Sequence, residues 1–133
     1  RKTLDPREVK IIFPSGISEL SVRYHAGKQE WLAVYLSPVN KGSQFLFSTA
    51  QNLEGPWSHP SPFTETIAEV NPQSPLYDQH TFCYAGKEHH QFSSGRNLIV
   101  TYVCNSSEDT GHQNSFLRKN LFLYRPRVLI IKR

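Results

Sequence analysis

The chain has 133 residues, 38% of them hydrophobic and 12% aromatic, which gives one modest domain and excludes a disordered polymer. No apolar run reaches the roughly 18 residues of a membrane-crossing helix, so no membrane partner is expected. A formal charge of +4 is too mild to demand a nucleic-acid partner.

Strand signals dominate from the start. Ile17 to His25 (ISELSVRYH) alternates, with Leu20, Val22 and Tyr24 on one face and Glu19, Ser21 and Arg23 on the other. His-Ala-Gly-Lys then supplies a turn. Glu30 to Ser37 (EWLAVYLS) is apolar on both faces, as expected of a strand covered by a layer on each side. A loop separates it from a third strand, Gln44 to Ala50. The connection that follows carries Pro56, Pro60, Pro62, Pro72 and Pro75, with one edge strand expected near Phe63 to Val70. Further strands are predicted over His80–Phe92, Asn97–Asn105 and, beyond a polar loop, Asn120–Lys132. No segment keeps a helical period over ten or more residues, so the fold class is all-β.

Cys83 and Cys104 come near each other if the strands around them pair. They then either form a disulfide or remain buried thiols, and thiols are the preferred expectation. Asn105-Ser-Ser fits a glycosylation sequon. Leu117 to Arg133 holds six basic residues and no acidic one, but they alternate with apolar residues and read as the wet side of a strand. The N-terminal RKTLDPREVK lacks the apolar centre of a signal peptide, and the chain has no Met; an excised or processed piece is expected.

Ala26–Tyr35 and Ser93–Tyr102 echo each other at an offset of about 67 residues, each placing Gly and a basic residue before an apolar strand that ends in Tyr. A β-sandwich interaction domain also fits the pattern. FLFSTAQNLEGPWS, however, resembles the blade pattern of the five-bladed β-propeller glycosidase superfamily of arabinanases, xylosidases and fructan-processing enzymes. In such a blade Gly55 and Pro56 make a tight reversal, and Trp57 fills the gap between neighbouring blades. ISELSVRY, and YAGKEHHQFSSGRNLIVTYVCNS with YRPRVLIIK, are similar to inner and closing strands of an uncharacterised branch of these propellers. His90, Gln91 and Val128 depart from that branch's usual Pro, Glu and Phe. The resemblance covers about residues 17–132 and implies about two four-stranded antiparallel blades. The first spans about 17–70 and the closing blade about 77–132, with the remaining N-terminal blades belonging to a longer parent chain.

The resemblance implies a secreted, carbohydrate-active, glycoside-hydrolase-like domain whose partner is a glycan; a non-catalytic carbohydrate- or protein-binding propeller is the alternative. Hydrolysis of a glycoside uses two carboxyl groups. Glu19, on the polar face at the head of a strand, is the candidate catalytic acid, and its partner carboxylates are expected in the missing blades. Arg23, Asp78 and His89 are the candidate substrate-binding residues. A structural Glu19–Arg23 pair, an Asp78 turn and a packed His89 are the plain alternatives. No cofactor and no catalytic metal are expected. A structural calcium near His89 is the one ion the resemblance suggests, since His89 falls on the superfamily's inner-strand His near the axis. Adjacent His89 and His90 point to opposite faces of an extended strand and do not readily share one metal. His80-Thr-Phe-Cys83 does not match a zinc knuckle.

Overall fold

In a computed structural model the described residues form seven strands. The structure describes residues 5, 7, 11–13, 17, 19–37, 39, 41–107 and 120–133. The polar loop expected before the last strand, from 108 to 119, lies outside them, and so does the start of the basic run.

Four strands, β1 (Leu20–His25), β2 (Glu30–Leu36), β3 (Phe45–Ala50) and β4 (Ser61–Pro62), make an antiparallel sheet in chain order. Three more, β5 (Thr81–Glu88), β6 (Asn97–Ser106) and β7 (Arg127–Lys132), make a second sheet, also in chain order. The all-β expectation stands. The second sheet has three strands among the described residues, not the four expected of a blade.

Proline explains where the strands stop. Pro56, Pro60 and Pro62 cannot donate to a ladder, so β4 is cut to two residues. The edge strand expected over Phe63–Val70 is instead one further bond, Phe63 N–H to Phe45 O, and then a 3₁₀ turn at Ala68–Val70. That turn places Ile67 and Val70, three residues apart, in the core. The last strand begins at Arg127, directly after Pro126, and residues 121–124 form a turn. The His80–Phe92 strand likewise ends at Glu88; His90 opens a 3₁₀ turn, so the two histidines do not share one extended segment.

Both faces of β2 are covered, as its composition predicts. Leu32, Val34 and Leu36 meet Phe45, Cys83, Leu98, Val100, Tyr102 and Ile131 in a core shared by the two sheets. On the opposite face Tyr35 is fully buried, its hydroxyl 3.0 Å from Ser48 Oγ and its ring edge-on to Phe13. Gly55 takes a positive φ of 86°, as the reversal requires. Trp57 then leaves the turn to pack on Phe13, ring centroids 5.1 Å apart, and its indole N–H donates to Leu53 O. Trp57 thus serves the outer face of the first sheet, away from the core between the sheets.

Cys83 and Cys104 are directly opposed partners in the β5–β6 ladder and form a disulfide, which corrects the thiol expectation. The register leaves no room for separate packing: two side chains on one face of facing residues meet across the strands.

Candidate functional site

The two sheets meet along a seam where β1 lies beside β5. The polar phase of β1 is what touches β5. Glu19 Oε2 accepts the Ala85 N–H at 2.5 Å, Ser21 Oγ accepts the Glu88 N–H at 2.7 Å, and His25 Nε2 sits 3.2 Å from Glu88 Oε2. Partners rise together along both strands, so β1 and β5 run in the same sense. Local backbone geometry makes these bonds available. The β5–β6 register slips between Tyr84 and Lys87, and Ala85 adopts φ 56°, which frees its N–H from the ladder. Gly86 follows because β2 passes too close for a side chain: a Cβ there would lie 2.8 Å from the Leu36 backbone nitrogen.

A cavity lies at each end of the seam. Glu19 and Lys41 line one of about 220 Å³, closed by Leu36, Tyr84 and Gly86. Arg23, His25, Glu88, His90, Ser93 and Asn97 line the other, of about 240 Å³. In the second cavity the Glu88 side chain is 1% exposed; His25 partners one carboxylate oxygen, while Oε1 has no hydrogen-bond partner. A buried, half-satisfied carboxylate is costly and calls for a donor. This is the candidate site.

The four residues singled out from the sequence do not converge. Glu19 and Arg23 belong to opposite ends of the seam, and no ion pair joins them among the described residues. Held by a backbone N–H, the Glu19 carboxylate is placed to anchor β1 to β5. Asp78 Oδ1 accepts the His80 N–H at 2.8 Å, and its carbonyl accepts from Thr81, a turn that launches β5. Asp78 also borders a third cavity of about 220 Å³ with Glu69, Phe122 and Arg127. Under that cavity Tyr102 Oη donates to Glu69 Oε2 at 3.2 Å, and Arg127 Nη2 lies 3.4 Å from Glu69 Oε1. Burial first, then the Glu69 carboxylate, pushes the Tyr102 hydroxyl up to about 12.

His89 Nε2 is 2.6 Å from Thr101 Oγ1. The neighbours of Thr101 on β6, Val100 and Tyr102, face the core, so His89 lies on the far face of the second sheet, remote from the seam. No group of three or more His, Cys, Asp or Glu side chains assembles among the described residues, and so none surrounds His89 for a calcium ion.

Sequence reasoning missed His25 and Glu88. His25 had a signal: it continues the phase of Glu19, Ser21 and Arg23. Glu88 had none, because nothing in KEHHQF separates a buried carboxylate from a wet one.

No known protein family, no curated protein and no solved structure matches the chain.

Proposed function

We propose that these residues form two neighbouring blades of a glycan-handling, glycoside-hydrolase-like β-propeller, and that the sugar enters the Glu88 cavity at the end of the seam. The observation that carries this reading is the seam itself. Two up-and-down antiparallel sheets lie with their first strands side by side in one sense, as adjacent blades around a common axis do. Their junction holds a buried carboxylate, one oxygen of which lacks a donor. A sugar hydroxyl is such a donor, with Asn97 and Ser93 as further polar neighbours on the cavity wall. The disulfide suits an oxidising, extracellular setting, and the remaining blades belong to the longer parent chain.

A purely binding role is the second reading. It is favoured by Glu19, whose carboxylate is engaged on the Ala85 N–H. The test is binding and product release on soluble glycan oligosaccharides by the polypeptide carrying these residues, with Glu88→Gln and Glu19→Gln compared. Loss of about tenfold in affinity in Glu88→Gln alone is expected. If Glu19 is the general acid, turnover falls roughly 10²–10⁴-fold in Glu19→Gln with binding kept. Binding without any turnover supports the second reading, and failure of every glycan to bind refutes both.

A further inference from the structure

We infer that the seam cavity selects an anionic sugar, one carrying a carboxylate or a sulfate, over a neutral one; this rests on the glycan reading above. The Glu88 cavity does not stand alone. A second cavity of about 130 Å³ adjoins it, sharing His25, Ala26, Gly95 and Leu98, and its rim adds Lys28, Arg96 and Arg133. Two turns bring these side chains together: the β1–β2 turn, closed by Lys28 N–H to His25 O, and the connection from β5 to β6, pinned by Arg133 N–H to Arg96 O.

The charges are unbalanced. Arg133 is matched by Glu30, with which it forms an ion pair. Arg23, Lys28 and Arg96 form no ion pair among the described residues. Glu88 is the one carboxylate lining either cavity, and it is buried against His25. A ligand that satisfies this place carries both a hydroxyl donor for Glu88 Oε1 and an anionic group for the guanidinium rim. A hexuronate has both on one ring. Its planar carboxylate matches the guanidinium fork in two parallel bonds, which a neutral sugar cannot supply. A sulfated sugar shares this anionic chemistry, since a tetrahedral oxyanion also takes two guanidinium bonds.

The experiment titrates the polypeptide carrying these residues with trigalacturonic acid, with the same trisaccharide after carboxyl reduction to its neutral form, and with a sulfated neutral trisaccharide. The acid should bind at least about tenfold more tightly than its reduced counterpart. Arg23→Gln and Arg96→Gln are conservative changes in partly or fully exposed side chains. Each should remove most of that preference, whereas Glu88→Gln should weaken all three sugars and leave the preference in place. Equal binding of the acid and its reduced form overturns the inference and leaves the glycan reading intact. Tighter binding of the sulfated sugar than of the acid identifies sulfate as the anionic group, and the reverse order identifies carboxylate. A short RNA bound as tightly as the acid, with the same salt dependence, overturns it in favour of indiscriminate polyanion binding. No binding of any sugar removes the inference together with the reading it rests on.

Discussion

Replacing Tyr102 by Phe removes one oxygen and changes little else, which makes it a clean probe of the core beside the third cavity. Tyr102 is 6% exposed, and its hydroxyl donates to Glu69, a carboxylate that is itself 5% exposed. Losing a bond to a charged, buried acceptor costs roughly 1.5–3 kcal/mol. Arg127 keeps its hold on the other Glu69 oxygen, so the cluster should weaken and not collapse. Titration reads the same surroundings as a whole, burial of the hydroxyl first and the Glu69 carboxylate after it. The native hydroxyl is raised to about 12 from an ordinary 10, so between these values the unfolded chain loses its proton first. Unfolding then releases a proton, and stability falls as pH rises. The contribution of Tyr102 is complete below about pH 10 and lost through about pH 12; at 1.36 kcal/mol per pH unit it is worth on the order of 2–3 kcal/mol. Urea unfolding of both proteins, followed by tryptophan fluorescence at steps from pH 8 to 12, reads the difference directly. The gap between them should be widest at pH 8 and close toward pH 12, the other tyrosines and lysines cancelling in the comparison. A gap below about 0.5 kcal/mol at pH 8, or one that does not change with pH, would refute the assignment.

Three further outcomes follow from the packing. Ser21→Ala strips the acceptor from the part-buried Glu88 N–H and should cost about 1–3 kcal/mol by the same unfolding assay, with Ser21→Thr recovering part of it. Replacing both Cys83 and Cys104 by Ala should lower stability by about 3 kcal/mol, the chain-entropy value for a sequence separation of 21 residues, and reductant should no longer shift the melt of that variant. Trp57→Ala should cost about 1.5–3 kcal/mol, the worth of one large apolar side chain packed on Phe13; a loss near zero would place the ring in solvent.

Much of this fold is written in side-chain alternation. β1, β2, β3 and β6 fall within a few residues of where the hydrophobic phase puts them, because a two-residue period fixes both strand and facing. Errors appear where backbone chemistry overrides the period. Pro62 and Pro126 shorten their strands by withholding a donor, and the spacing of Ile67 and Val70 suits a tight turn better than an edge strand. The site was less legible than the fold. Glu19, Arg23, Asp78 and His89 were all visible as polar residues near strand ends, but facing decides where they meet, and facing depends on tertiary packing. His89 went to the far face of the second sheet because its strand ends one residue earlier. The slip that opens the Ala85 N–H occurs at an alanine in positive φ, a residue type that gives no warning of it.

The polar seam also explains how one strand can carry both architecture and a site. Apolar burial holds the sheets together but is not directional: Leu32, Val34 and Leu36 would find apolar partners even if the sheets slid past one another. Hydrogen bonds do not tolerate sliding. A slip of two residues, roughly 7 Å along β1, would separate Glu19 from Ala85, Ser21 from Glu88 and His25 from the Glu88 carboxylate at once. Each loss would strand a backbone N–H or a buried oxygen at about 1–3 kcal/mol. Three of the four polar-phase residues are therefore committed to register. Arg23 stands between Ser21 and His25 in that phase and forms no ion pair among the described residues, yet its neighbours fix it at the mouth of the Glu88 cavity. A side chain held in place by bonds it does not make is free to meet a ligand, and that is the physical reason for setting the proposed site at the seam.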